Sequence, residues 1–162
     1  MLDAFRMLAR YNRIANERLY EQCGQLDLDE YLRERQGSFG SIHRLLNHIL
    51  LGDQIWMSRF AGGGSTTPPL NSILCETFAS LKSARTEQDA SIEAFFEGAD
   101  SGFLDRPLSY INSQGKHYVE SAPRAVLHFF NHQTHHRGQV HVMLSQTPVK
   151  PPSLDLHRIL NP

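Results

Sequence analysis

The sequence predicts an all-α protein, a four-helix bundle with a small hairpin in the connection before the last helix. Apolar residues recur at helical spacing through four long segments, which is typical of a bundle. The stretch "AGGGSTTPP" (61–69) is an unambiguous break between the second and third segments. The stretch "PLSYINSQGKHYVES" (107–121) has short β-like pieces around "NSQG", which indicates the hairpin.

The first two predicted helices flank a charged connector. The first helix runs from Leu2 to about Cys23, and Gly24 is its stop signal. Residues 25–40 are mixed and charged, and we expect a connector with one helical turn. The second helix runs from Ser41 to Phe60 and is apolar around most of its circumference. We therefore expect the second helix to lie deep in the fold.

The last two helices lie on either side of the hairpin. The third is predicted from about Asn71 to Glu97, and the fourth from about Ala122 to Ser145. Ser121 is a good N-cap for the fourth helix, and Pro123 fits its first turn. The tail, residues 148–162, is rich in proline and then amphipathic, so we expect it to lie over the bundle.

The break at residues 61–69 bears on topology. About ten extended residues span roughly 33 Å, which is close to the ~30 Å length of a 20-residue helix. The loop is thus long enough to return along the bundle and leave the second and third helices parallel.

Length, composition and net charge exclude several classes of partner and location for this protein. A chain of 162 residues favours one domain, residues 1–162, and its net charge of −1 argues against a nucleic-acid or anionic-membrane partner. Cys23 and Cys75 are far apart and form no motif, which favours a reducing cytoplasm. The N-terminus lacks the apolar region of a signal peptide, and the most apolar window, 42–60, is interrupted by charges. We expect a soluble cytoplasmic protein.

The stretch "HFFNHQTHHRGQ" (128–139) holds four of the nine histidines of the chain. It could be a metal site, a run of surface histidines or a pH-sensitive patch. A helix turns about 100° per residue, so with His132 at zero, His136 lies at about +40°, His128 at about −40° and His135 at about −60°. The apolar stripe of this helix lies at roughly +20° to +80°. His132 and His136 therefore sit in or beside the stripe that faces the core.

Two histidines at positions i and i+4 can converge on one metal ion. A third ligand is available in "LLNHIL", where His48 lies on the most apolar helix. A lone buried histidine is commonly bonded to a backbone carbonyl, but a convergent pair elsewhere makes a three-histidine site the better explanation. Three protein ligands leave positions for water or substrate, unlike a closed structural site. His43 lies almost opposite His48, and His117 and His157 are predicted at the surface.

The same rotation per residue indicates which residues near the predicted ligands can contact them. Gln139 lies at about −20° and is the candidate to bond an outer ring nitrogen. Asn47 and Asn131 rotate away from the ligands. Arg137 and Gly138 are predicted to serve packing, because a glycine inside a helix usually marks the close approach of a neighbour.

These motifs resemble the DinB/YfiT-like metalloenzyme superfamily. "HFFNHQTHHRGQ" looks like its last-helix signature, N-H-x-x-x-H-R-G-Q, and "ARYNRIANERLYE" is similar to its first-helix pattern. "LLNHIL" matches the histidine of the second helix, and "PPSLDLHRIL" fits the tail. The resemblance covers nearly the whole chain in order.

The resemblance implies an up-down-down-up bundle and a metal triad of His48, His132 and His136. It also implies frequent homodimers and a divalent ion such as nickel or zinc. Some relatives are transferases or isomerases that use a low-molecular-weight thiol such as bacillithiol or mycothiol, and many are stress-associated. The residues themselves offer a second apolar facet for a dimer, Leu127 and Phe130, which could equally contact the hairpin or the tail.

Two functions remain open. The first is a metal-dependent enzyme acting on a small molecule, either a thiol S-transferase or a hydrolase, whose catalytic side chains the sequence does not identify. The second is a non-catalytic metal-binding stress or scaffold protein, favoured by the lack of a recognisable general base, nucleophile or phosphate loop. A di-iron bundle is disfavoured, because no E-x-x-H motif accompanies the histidines.

Overall fold

The structure, a computed structural model, describes residues 1–63, 68–112 and 114–161. This part of the chain is mostly helical, with one small antiparallel sheet. The elements in chain order are α1 (Leu2–Cys23), α2 (Leu28–Leu32), α3 (Ile42–Phe60), α4 (Phe78–Gly98), α5 (Ser101–Asp105), β1 (Pro107–Ile111), β2 (His117–Ser121), α6 (Ala122–Leu144) and α7 (Leu156–Leu160).

The four predicted long helices correspond to α1, α3, α4 and α6, and three of them have the predicted bounds to within a residue. The hydroxyl of Ser41 accepts a hydrogen bond from the Arg44 amide and so begins α3. Pro123 lies in the first turn of α6 as predicted, although the side chain of Ser121 makes no capping hydrogen bond. The helical turn expected in the first connector is α2.

The start predicted for the third helix was wrong. The helix begins at Phe78 rather than near Asn71, because Thr77 is its N-cap and accepts from the Ser80 amide. The backbone of residues 74 and 75 bonds to the side chain of Asn47 on α3 instead of continuing a helix. Residues 64–67 of the predicted break lie outside the described residues.

The long helices share their contacts in a definite pattern. Both α1 and α3 pack against α4 and against α6. Near one end, Phe60, Phe96 and Phe129 belong to one aromatic core cluster. Near the other end, Leu19, Leu46 and Leu144 belong to an aliphatic cluster. Because each fully buried side chain of this size contributes about 1.5–3 kcal/mol, these two clusters supply the main stabilisation of the fold.

The hairpin between α5 and α6 forms as predicted. Its strands are antiparallel, and their register runs from Pro107 opposite Ser121 to Ile111 opposite His117. Leu108 and Tyr110 alternate inward and belong to the aromatic core cluster. The hairpin is therefore packed on the helices. Ser113, in its turn, lies outside the described residues.

Only one of the two residues of the apolar facet predicted on the back of α6, Leu127 and Phe130, is exposed. Phe130 is buried, with its ring 5.3 Å from that of Phe96, while Leu127 is 56% exposed. The unpredicted helix α5 packs against α6, and its Phe103 joins the cluster that contains Phe130. Phe130 thus faces the core, and the predicted pair does not form a surface.

The tail follows the expectation. Helix α7 packs against α1, and Ile159 is buried in a small cluster with Tyr11 and Ala15. Among the described residues, none of the helices is both long and apolar enough to cross a membrane.

Candidate metal centre

The candidate centre lies where α3 and α6 pack together. His48 is on α3, and His132 and His136 follow each other by one turn on α6. The ring centroids are separated by 4.4 Å (His132 to His136), 4.6 Å (His48 to His136) and 5.2 Å (His48 to His132). One ring nitrogen from each histidine lies within 4.8 Å of the others. The structure therefore brings together the three residues that the sequence singled out.

A glycine on α3 makes room for this arrangement. A Cβ atom on Gly52 would lie 2.9 Å from Cε1 of His132, a separation that real Cβ contacts do not show. Sequence reasoning missed Gly52, although a glycine one turn after His48 in the most apolar helix was a usable signal. The close approach between α3 and the His132 ring depends on the missing side chain.

Two hydrogen bonds fix the proton positions on the rings. Nδ1 of His48 donates to the carbonyl oxygen of Leu70 at 2.9 Å. Nδ1 of His136 donates to Oε1 of Gln139 at 2.8 Å, the contact expected for Gln139. Since neutral imidazole carries one proton, Nε2 of each of these rings presents a lone pair. These two Nε2 atoms face each other at 3.2 Å.

Two facing lone pairs repel unless a cation lies between them, so this nitrogen geometry fits a metal ion. Zinc binds histidine nitrogen at about 2.0–2.1 Å in tetrahedral sites, which places two such nitrogens about 3.3 Å apart. The observed 3.2 Å agrees with that separation. His132 supplies a third nitrogen within 4.8 Å of the other two. The donor set, all imidazole, suits zinc, nickel, copper or iron.

The rings are neutral, as metal binding requires. Burial, together with the neighbouring imidazoles, of which His136 has the largest effect, lowers the pKa of His132 to about 3. Burial also lowers the pKa of His48 and of His136, while their hydrogen bonds to Leu70 and Gln139 oppose the change. Because only neutral imidazole coordinates metal, the centre is ready for an ion at neutral pH.

The other two histidines of the cluster stand beside the centre. His128 and His135 are exposed, as the rotation predicted. The ring of His128 lies 6.1 Å from that of His132 and 5.2 Å from that of Trp56. Nε2 of His135 accepts a hydrogen bond from the Gln139 amide at 3.2 Å. Neither residue belongs to the three-histidine group.

Three further histidines, His43, His117 and His157, also lie outside the three-histidine group. His43 points away from the centre as predicted, but it is buried, with Nδ1 3.0 Å from the hydroxyl of Tyr31. His117 is exposed on the hairpin and bonds Ser109, and His157 is exposed on α7.

Asn47 has an indirect contact with the centre that sequence reasoning missed. Its side chain points away from the rings, as predicted, and is fully buried. Its Oδ1 accepts from the amides of Leu74 and Cys75 at 2.8 and 2.9 Å, and its Nδ2 donates to the carbonyl of Cys75. Asn47 thereby holds the segment whose Leu70 carbonyl orients His48. Only the fold reveals this contact, because Leu74 is distant in sequence.

A buried polar network lies behind the centre, between α1, α3, α4 and α6. Arg85 contacts Asp53 at 2.5 Å and Asp89 at 2.9 Å, and both carboxylates are buried. Burial raises the pKa of the two carboxyl groups, to about 6 for Asp53 and about 7 for Asp89, and the Arg85 charge limits the rise. Arg137, predicted to serve packing, donates to Asn12 on α1. The network links all four long helices.

The fold and the centre define a class of helical protein with three histidines gathered between two helices. The match to a known family covers residues 1–162, and the chain belongs to the DinB family. It is similar to the protein DinB of Bacillus subtilis strain 168, with 25% identity over an alignment of 155 residues, and the match covers 90% of this chain and 87% of that protein.

A solved structure has the same fold. The crystal structure of a DinB-like protein from Bacillus subtilis, YjoA, matches with a TM-score of 0.62 and covers 91% of this chain and 96% of its own. The two sequences are 18% identical, so this likeness supports the fold alone.

Proposed function

We propose that His48, His132 and His136 hold one divalent metal ion with positions left for an outside ligand. The observation that carries this proposal is the pair of Nε2 lone pairs, from His48 and His136, that face each other at 3.2 Å. Membership of the DinB family and the third converging nitrogen of His132 support it. Nickel or zinc is the proposed ion, since both accept imidazole ligands.

The proposed activity is that of a metal-dependent enzyme, either a thiol S-transferase that uses a low-molecular-weight thiol or a hydrolase. When bound, the ion would supply Lewis acidity that favours the deprotonated form of a thiol or of water. The chain itself contributes three neutral nitrogens, orients two of them through Leu70 and Gln139, and borders the centre with Trp56 and His128.

A second candidate is a non-catalytic metal-binding stress or scaffold protein. The observation that favours it is the composition of the cluster. In the described ranges, neither a carboxylate nor a thiol joins the three histidines in the group that could hold an ion. The centre thus offers a place for a metal without an adjacent acid or nucleophile. Turnover measurements distinguish the two candidates.

We also propose an up-down-down-up arrangement of the four long helices in a single domain. The contacts of α1 with α4 support it, since Phe5 meets Phe96 near one end and Tyr20 meets Phe78 near the other. The contacts of α3 with α4 run in the same chain direction, since Asp53 meets Arg85 and Phe60 meets Phe95.

A homodimer in the cytoplasm is the proposed state, and sedimentation equilibrium tests the dimer.

The metal assignment is tested by loading the purified protein with zinc or nickel and measuring content and affinity. We expect one ion per chain, and loss of tight binding in His132→Ala. His128→Ala is the matched control, because it removes an exposed imidazole from the same helix and should leave the content unchanged. Unchanged metal content in His132→Ala would show that the ligands are assigned wrongly.

The enzymatic part is tested separately on the metal-loaded protein. Thiol conjugation is assayed with small thiols and electrophiles, and hydrolysis with ester and amide substrates. We expect turnover that depends on the ion and is lost in His48→Ala. A protein that holds one ion per chain and turns over none of these substrates supports the non-catalytic candidate.

A further inference from the structure

A pocket of about 250 Å³ is lined in part by Phe39 and Gln139, which contact the proposed ligands His48 and His136. The segment 36–39 forms one side, and Gly138, Gln139 and Val142 of α6 form the other. The buried side chains of Leu45 and Met143 close its inner end. The lining is predominantly apolar, and the amide of Gln139 and the imidazole of His135 add polar groups. A small apolar ligand with one polar attachment fits such a lining.

Two residues belong both to the pocket and to the surroundings of the rings. Phe39 lines the pocket, and its ring stacks on that of His48 at 4.0 Å and meets that of His136 edge-on at 5.7 Å. Gln139 also lines the pocket, and its Oε1 accepts the Nδ1 proton of His136. A molecule in the pocket therefore contacts the same side chains that position two of the proposed metal ligands.

Gly138 is an exposed glycine of α6 that lines this pocket. The sequence pattern predicted that Gly138 marks the close approach of a neighbour, and this was wrong. Apart from its two chain neighbours and the nearby backbone of its own helix, no described atom lies within 4 Å of the position that a Cβ would take. A glycine in the middle of a helix costs about 1 kcal/mol relative to alanine. At Gly138 this cost is matched by no packing contact, and the space beside it is the pocket.

We propose that this pocket binds the apolar end of a small molecule whose polar, metal-binding end lies at the three histidines. The proposal rests on the proposed metal site. The apolar end of this molecule is an aryl or branched alkyl group. An apolar cavity of about 150 Å³ in another protein is large enough for benzene. The pocket, at about 250 Å³, takes one such group. The Gln139 amide and the His135 imidazole would bond a polar atom that links the two ends.

The test uses two probes that share a metal-binding head and differ in their tail, acetohydroxamate and phenylacetohydroxamate. Affinity is measured by calorimetry on the zinc-loaded protein. We expect the aryl probe to bind at least about tenfold more tightly, because its ring buries apolar surface in the pocket. In Gly138→Phe the new side chain fills the pocket, so this advantage disappears while acetohydroxamate keeps its affinity.

Two further variants complete the experiment. Leu127→Phe is the matched control, since it adds a ring to an exposed position of the same helix and should keep the aryl advantage. Val142→Lys places a charge at the exposed wall of the pocket and should reduce the advantage even if Gly138→Phe fails to fold. Equal affinity of the two probes for the wild type, or an aryl advantage retained in both pocket variants, overturns the proposal.

Failure of the underlying metal site has a different signature. If the protein takes up no zinc, measured by metal content before any probe is added, the proposed function fails and this inference with it. If zinc is bound and acetohydroxamate binds to it, while the phenyl ring adds nothing, only the pocket assignment is wrong.

Discussion

At the scale of single residues, the candidate centre depends on Gly52, a residue without a Cβ atom. Gly52 leaves the space that the His132 ring occupies, since a Cβ there would lie 2.9 Å from Cε1. The His132 ring is partly buried, and burial is the largest cause of its lowered pKa. A small displacement of this ring removes one nitrogen from the convergence point.

Gly52→Ala should therefore weaken metal binding by about tenfold or more, because the added methyl group displaces the His132 ring from its ligand position. Competition with a chromophoric chelator measures the change. Gly98→Ala is the matched control, since Gly98 also lies in a long helix and, beyond its chain neighbours and its own helix backbone, no described atom is within 4 Å of its Cβ position. Equal affinity of Gly52→Ala and Gly98→Ala would contradict this reading of the site.

Gln139 contacts the candidate metal centre through its hydrogen bond with His136. Removing its carbonyl in Gln139→Leu should lower metal affinity by about 10–100-fold, because the Nδ1 proton of His136 loses its acceptor. Gln139→Glu keeps an acceptor oxygen and should retain most of the affinity. Metal titrations of the two variants test this role of Gln139. An equal loss of metal affinity in both variants would show that the acceptor for the Nδ1 proton of His136 does not determine the affinity.

At the scale of elements, the centre is held by segments outside the two helices that carry it. The segment before α4 supplies the Leu70 carbonyl, and Asn47 on α3 bonds the Leu74 and Cys75 amides of that segment. The helix predicted over this region would have placed those amides in helical hydrogen bonds. The non-helical path of the segment is thus part of the site.

Asn47→Ala should release this segment. We expect a loss of about 1–3 kcal/mol in the free energy of unfolding, since buried partners are left unsatisfied, together with weaker metal binding. Hydrogen exchange at the Leu74 and Cys75 amides measures the release directly. Ser41→Ala removes the N-cap of the same helix and should cost about 1 kcal/mol without lowering metal affinity. If both variants lower metal affinity alike, Asn47 serves stability only.

At the scale of the whole molecule, the two core clusters stabilise the fold, whereas the histidine cluster makes the stability of the metal-free protein depend on pH. The aromatic and aliphatic clusters occupy the two ends of the long helices. The lowered pKa of His132 means that its imidazole is more difficult to protonate in the folded chain than in the unfolded chain. The metal-free protein should therefore respond to pH through this ring.

The stability of the metal-free protein should fall as the pH drops from 7 to 5. Between pH 6.5 and about 3 the unfolded state binds a proton at His132 that the folded state does not, so acid favours unfolding. With allowance for partial exposure of the ring, His132 contributes about 1 kcal/mol to this loss. Urea unfolding of wild type and His132→Ala at both pH values isolates that contribution, because the raised carboxyl pKa values are common to both proteins. If the free energy of unfolding had the same pH dependence in the two proteins, the contribution assigned to His132 would be refuted.

Removing the metal should leave the protein folded. The core clusters contain the large buried side chains, and most helical stability comes from packing of apolar faces. We expect the circular dichroism of the chelated protein to remain helical, with a lower melting temperature because ligand binding stabilises the folded state. Loss of helicity on chelation would instead assign the ion a structural role.

The sequence by itself determined the features that depend on local periodicity. The bounds of α1, α3 and α6 follow from apolar spacing and terminal signals, and the rotation of about 100° per residue separates His132 and His136 from His128 and His135. The hairpin follows from its turn residues. His48 was singled out by an apolar setting that makes a lone imidazole costly. Each of these signals lies within a few residues of the feature that it predicts.

Only the tertiary structure decided the features that depend on partners distant in the chain. The late start of α4 reflects bonds from Asn47, and the burial of Phe130 reflects the unpredicted α5. Gly52 and Gly138 carry the same letter in the sequence, yet one admits an imidazole ring and the other borders a pocket. The physical reason is that the space around a side chain is set by which elements pack beside it, and periodicity along one helix contains no information about its neighbour.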